Sequence, residues 1–211
     1  MRSIRHFIWD FDGTLFDTYP VIIENLNSAL GEFGGSCDPV DTMKMMLQNI
    51  PTAQRFYAEK YDIPLQVLVD AYERYHQIAN REMVARPMEG IVQVLAKIRD
   101  TGRHNYIFTH RKDSETRQYL EKYGLTEYFR EVMGPQSQGF AWKPAPDAVL
   151  HLMEKYGMTE ENAVMVGDRD CDLGSARNAH IRTAHLVCSA VPEELDCHWK
   201  LLNFGQMLEM L

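Results

Sequence analysis

The sequence predicts an α/β fold, a doubly wound parallel sheet interrupted by an inserted block of helices. Three observations predict it. Beyond Pro87, short apolar runs alternate with segments of helical period, the pattern of strands joined by crossover helices. Between Tyr19 and about Glu82, apolar residues recur at helical spacing and no strand interrupts them. Several apolar runs stop at a polar residue capable of chemistry, and in an open parallel sheet the ligand crevice lies beyond the carboxyl ends of the strands.

The elements follow in order. His6–Trp9 is an apolar run that stops at Asp10, a buried strand followed by a loop. Val21, Ile22, Leu26, Ala29, Leu30 and Phe33 repeat at spacings of three and four, and Gly34-Gly35 ends that helix. Met43, Met46 and Leu47 mark a second helix, Phe56 and Tyr57 a third, and Leu65, Leu68, Val69, Tyr72 and Tyr75 a fourth. Residues 48–56 are expected to form a loop that reaches the bound ligand's departing group, with Arg55 as its only cation. Ile91, Val94, Leu95 and Ile98 form a helical face ended by Gly102. Then come a strand at 106–109, a helix at 114–123 closed by Gly124, and a minimal strand at 132–133. A helix at 146–156 stops at Gly157, a strand at 163–166 stops at Gly167-Asp168, and a helix at 172–178 precedes a last strand at 182–187. The final twenty residues show little pattern beyond a short helix at 204–211.

The apolar fraction is 45%, enough for a packed core, and the net charge is −8. That balance argues against nucleic acid and anionic membrane as partners, but not against a small phosphorylated ligand, which reads only local charge. No apolar run approaches the ~20 residues of a membrane span. Cys37, Cys171, Cys188 and Cys197 form no C-x-x-C pair, so a reduced, cytoplasmic setting is expected. His6, His76, His104, His151, His185 and His198 show no metal spacing.

Four motifs sit at strand ends. In Asp10-Phe11-Asp12-Gly13-Thr14, two carboxylates at i and i+2 can face one cleft, one as nucleophile and the other as proton shuttle. Such a match arises by chance in roughly one chain in a thousand of this length, which favours chemistry over a surface turn. Thr109, with the next backbone N–H at His110, can bind two phosphate oxygens. Lys143, between Trp142 and Pro144, supplies a point charge. Asp168, Asp170 and Asp172 crowd three carboxylates into five residues, which calls for a hard cation such as magnesium or for an acidic helix start.

Together and in this order, these motifs resemble the haloacid dehalogenase (HAD) superfamily, over nearly the whole chain and nearest its phosphoglycolate phosphatase and β-phosphoglucomutase branch. The resemblance implies a Rossmann-like core at 1–16 and 85–211 and a helical cap at 17–84 that closes over the site. It implies a Mg2+-dependent phosphatase acting on a small phosphorylated metabolite through an aspartyl-phosphate. Asp10 is then nucleophile and metal ligand. Asp12 is general acid/base, with its backbone carbonyl on the metal, and Asp168 is the second carboxylate ligand. Thr109, His110 and Lys143 hold the phosphate, and Asp172 orients Lys143 or a metal-bound water from behind. His110-Arg111 and His180 depart from the superfamily pattern, the former where asparagine is common and the latter where glycine is. A phosphomutase ranks below a phosphatase, because no histidine follows the first motif at 17–22. A non-enzymatic regulator would be expected to lack Asp10, Asp12 or Asp168. The oligomeric state stays open, and a monomer is compatible with this reading.

Overall fold

The computed structural model describes residues 1–134, 139–187, 191 and 194–211; Cys188 lies outside them. The chain opens with β1 (His6–Trp9), whose side chains are all buried, then β2 (Phe16–Asp17). Four helices follow: α1 (Tyr19–Gly31), α2 (Pro39–Gln48), α3 (Ile50–Lys60) and α4 (Leu65–Glu82). After β3 (Arg86–Pro87) come α5 (Ile91–Asp100), β4 (His104–Phe108), α6 (Asp113–Lys122), β5 (Phe129–Met133) and α7 (Asp147–Tyr156). The chain closes with β6 (Ala163–Gly167), α8 (Asp170–Asn178), β7 (Arg182–Leu186), β8 (Trp199–Leu201) and α9 (Phe204–Met210).

Six strands form one sheet in the order β5-β4-β1-β6-β7-β8, and the paired strands run parallel. The chain winds outward from β1 through β4 to β5, then returns to the other side of β1 for β6, β7 and β8. The reversal therefore falls at β1, where such sheets bind ligands. Register fixes what emerges there. Trp9 lies opposite Ile107 of β4 and Val166 of β6, so Asp10, Thr109 and Asp168 leave the sheet at the same end. Phe7, Ile8 and Trp9 are fully buried, as a central parallel strand requires. On one face, Ile8, Tyr106, Phe108 and Met165 pack with Val149 and Leu152 of α7. The buried Trp9 Nε1–H of β1 donates to Asn105 Oδ1 of β4 at 2.9 Å.

Two compact units emerge, Met1–Phe16 with Pro87–Leu211, and Asp17–Arg86. In the second, α1 packs on α4 and α2 on α3. Asp38 caps α2 by accepting from Asp41 N–H at 2.9 Å, and Asn49 caps α3 by accepting from Thr52 N–H at 2.9 Å. Residues 48–56 are therefore not a loop: Asn49 alone separates two helices, because it both ends α2 and caps α3. The sequence reading also lacked β2, β3 and β8, each too short to show a period. His180 takes the left-handed backbone at φ +57°, where glycine is the commonest choice. Among the described residues, no helix is long and apolar enough to cross a membrane.

Candidate active site

Asp10 extends the β1–β6 pairing one step beyond the strand, since its N–H donates to the Val166 carbonyl at 2.9 Å. Its carboxylate is fully buried, and Lys143 Nζ donates to Oδ1 at 2.5 Å. The same ammonium donates to Asp172 Oδ1 at 2.7 Å and lies 5.0 Å from the Phe108 ring centre. Asp172 is held in turn by the start of α8, where its Oδ2 accepts from Arg169 N–H at 3.1 Å. Gly167 makes room for it: a Cβ there would stand 2.8 Å from Asp172 Oδ2.

Lys143 owes its position to two neighbouring segments. Its backbone N–H donates to His110 Nε2 at 2.8 Å, which fixes that ring as the Nδ1–H tautomer. The carbonyl of Pro144 accepts from Asn178 Nδ2 at 2.9 Å, and Gly174 lets α8 approach, since a Cβ there would lie 2.9 Å from Pro144 Cβ. Asp168, 2% exposed, accepts from Thr14 Oγ1 at 3.1 Å. Thr109 is buried, and its Oγ1 accepts from Arg111 N–H at 3.0 Å. Asp12 is less enclosed, and its Oδ1 accepts from Arg111 Nη2 at 2.7 Å and Nε at 3.2 Å.

The charges answer to this geometry. Burial and the neighbouring Asp172 push the Asp10 carboxyl up to about 6, although Lys143 opposes them. Burial also acts against an ionised Asp172, but Lys143, Arg169 and the Arg169 N–H outweigh it and hold that carboxyl below its usual range. The two carboxylates share one ammonium, and Asp172 has the better claim because it alone gains the helix-start N–H. Burial would strip the proton from Lys143, but Asp10 and Asp172 reverse this and raise it above its ordinary value. Burial, followed by the charges of Lys143 and Arg169, lowers His110 to about 3, so the acceptor nitrogen stays unprotonated at neutral pH.

Residues 7–186 match the family model for haloacid dehalogenase-like hydrolases. The chain belongs to that family. It is 28% identical over 179 residues to a phosphoglycolate phosphatase of Agrobacterium fabrum, covering 82% of this chain and 76% of that one. It is 25% identical over 187 residues to a pyrophosphatase PpaX of Halalkalibacterium halodurans, covering 86% and 83%. A crystal structure of a HAD family hydrolase from Deinococcus radiodurans, with bound phosphate and sodium, superposes with a TM-score of 0.81. That likeness, at 19% identity over 97% of this chain and 93% of the other, is one of fold.

In this HAD hydrolase, a cation fits the residues present. Asp10, Asp168 and Asp172 each offer an oxygen, all within 4.8 Å of one another, and Asp10 Oδ2 is buried without a hydrogen-bond partner. Both oxygens of Asp172 are engaged by Lys143 and Arg169, which leaves Asp10 and Asp168 better suited as ligands. An all-oxygen set suits a hard ion. The nearby Cys171 thiol is pushed up to about 12 by burial and Asp172, so it stays protonated and is a poor ligand.

The structure thus gathers Asp10, Lys143, Asp168 and Asp172 directly. His110 enters through the Lys143 backbone, and Thr109 and Asp12 through Arg111. Arg55 lies on α3, in the helical unit. Sequence reading assigned no role to Thr14, Arg111 or Arg169. For Arg111, the available signal was its place in the His110-Arg111 departure from the superfamily pattern.

Proposed function

We propose that this hydrolase is a Mg2+-dependent phosphatase that cleaves a small phosphate ester through an aspartyl-phosphate on Asp10. The observation that carries this reading is the state of Asp10: fully buried, one oxygen on Lys143 and the other without a partner. A carboxylate stripped of water and aimed by one ammonium is a competent nucleophile toward phosphorus. The relatives named for phosphoglycolate and for pyrophosphate support phosphoryl transfer to water as the reaction class.

In this scheme, an Asp10 oxygen bonds to phosphorus as the bond to the leaving oxygen breaks, and Asp12 gives that oxygen its proton. Water then attacks the phosphorus, Asp12 takes a proton from it, and phosphate departs with Asp10 restored. Lys143 offsets charge on the phosphoryl oxygens in transit, and the Thr109 hydroxyl with the His110 N–H orients them. Asp10, the Asp12 carbonyl and Asp168 would hold the magnesium ion, which when bound neutralises charge on the carboxylates and the phosphoryl group. In this scheme residues 17–84 are the helical cap domain. The chain enters and leaves the helical unit at Asp17 and Arg86, and the first of these follows Asp10 closely in sequence. The free state of Cys37, Cys171 and Cys197 agrees with a cytoplasmic enzyme.

The test is hydrolysis of 4-nitrophenyl phosphate and of phosphoglycolate, with magnesium and with a chelator, in the wild type and in Asp10→Asn. The chelator should abolish turnover. The substitution should lower kcat at least several thousandfold, the equivalent of ~5 kcal/mol of barrier. Full activity in pure Asp10→Asn protein would remove the covalent route.

A further inference from the structure

Asp12 is the one member of the first motif's carboxylate pair that stays partly open, its side chain 20% exposed against 1% for Asp10. A general acid must deliver its proton along one line, and a partly exposed carboxyl that rotates freely spends most of its time pointing elsewhere. Arg111 removes that freedom. Its Nε and Nη2 converge on the same oxygen, Asp12 Oδ1, at 3.2 and 2.7 Å.

The arginine is itself fixed on several sides. Its backbone N–H donates to Thr109 Oγ1 at 3.0 Å, and its guanidinium carbon lies 5.4 Å from the Phe11 ring centre and 5.5 Å from that of Tyr119. Nη1 reaches Glu115 at 3.4 Å. The side chain is 5% exposed, so its orientation is set by packing rather than by solvent. Phe11 stands between Asp10 and Asp12, so the ring beside the guanidinium belongs to the same turn as both carboxylates. Arg111 thus joins the Thr109 loop to Asp12 in one rigid contact.

We infer that Arg111 is a positioning residue that aims Asp12 at the leaving oxygen. The inference rests on the phosphatase reading above. Asp12 does the proton transfer; Arg111 touches no reacting atom and acts only through it. A purely structural ion pair between the two loops would affect every substrate alike. A residue acting through Asp12 must show the leaving-group dependence of Asp12 itself.

The experiment compares the wild type with Arg111→Gln, Asp12→Asn and the double variant on 4-nitrophenyl phosphate, whose leaving group needs no proton, and on phosphoglycolate, whose leaving group does. Arg111→Gln should lower kcat on phosphoglycolate at least tenfold more than on the aryl ester, with KM on each changed less than threefold. The double variant should be no slower than Asp12→Asn alone. Losses that multiply in the double variant, or that are equal on both esters, overturn the inference while leaving the phosphatase reading intact. A wild type that hydrolyses neither ester with magnesium overturns both. If Arg111→Gln does not fold, Arg111→Lys takes its place: it keeps the charge but loses the two-donor fork, and should show the same bias between the esters.

Discussion

Lys143 carries one positive charge between two carboxylates that are, like it, sealed from water. Removing one partner of such a set leaves charge stranded in the interior, which costs ~3–5 kcal/mol. Lys143→Met should therefore destabilise as well as inactivate. The loss should be smaller at pH 5 than at pH 8, because Asp10, already raised to about 6 with the lysine present, can take up a proton instead of standing unpaired. Urea unfolding at the two pH values checks this, and an equal loss at both would show that Asp10 is not the stranded charge. Gly167 meets a different constraint. A methyl group there would press on the Asp172 side chain, 2.8 Å from its carboxylate carbon and from Oδ2, and Asp172 could move only by giving up its bonds to Lys143 or Arg169 N–H. Gly167→Ala should cost ~1–3 kcal/mol by overpacking. It should also lower kcat at least tenfold with KM little changed, since Lys143 loses its second anchor. An alanine variant with wild-type kcat would show that Asp172 does not orient the lysine.

Strand β1 begins at His6, whose Nδ1 lies 3.1 Å from the Tyr106 hydroxyl on β4 and whose ring is 5.6 Å from that of His104. Burial first, then the charges of His104 and Arg130, lower its pKa to about 4. The unfolded chain therefore takes up this proton before the folded one does. The folded state's advantage is intact above pH 6.5 and is lost progressively as pH falls from there toward 4, while the unfolded chain takes up the proton. His6→Gln keeps a polar side chain without a charge that titrates, so its unfolding free energy should fall less between pH 7.5 and pH 5 than that of the wild type. Identical pH dependences would mean that His6 is not held neutral. Elements of this length were legible in the sequence. The runs at His6–Trp9 and around 163–166 are continuous and apolar because β1 and β6 are buried on both faces, and parallel pairing then brings Asp10, Thr109 and Asp168 to one end of the sheet. Short elements left no such mark. Strand β8 pairs only with β7, at the edge, over three residues. The expected loop at 48–56 dissolved into α2 and α3 because a single asparagine caps one and stops the other. Contacts between distant loops were hidden for another reason. Thr14 to Asp168 and Arg111 to Asp12 span most or half of the chain, and neither partner carries a local pattern that names the other.

At the scale of the whole molecule, Asp10 and Asp172 are buried side by side with one ammonium between them, and a bound cation should change the stability of the protein as well as its activity. Burial and the neighbouring Asp172 raise the folded-state pKa of Asp10 from 3.8 to about 6. A carboxyl raised in this way binds its proton more tightly when folded, so the stabilisation it gives is present at low pH and is lost as pH climbs from about 4 through 6. At pH 7.5, folding must hold Asp10 as an anion beside Asp172. A magnesium ion on Asp10 and Asp168 would relieve that cost, and it competes with the proton for the same oxygen. Ion at a hundred times its dissociation constant adds about 2.7 kcal/mol by mass action, worth roughly 5–10 °C in Tm for a chain of this size. The rise should be largest near pH 7.5 and should shrink by pH 5.5, where the proton occupies the site. Asp168→Asn should abolish most of it while leaving the Lys143 contacts in place. Thermal unfolding of the wild type and Asp168→Asn, with 10 mM magnesium and with a chelator at both pH values, reads all of these effects without any substrate. A Tm that ignores magnesium at pH 7.5, or a rise that persists in Asp168→Asn, would remove the Asp10–Asp168 pair as the ion's seat whatever the enzyme hydrolyses.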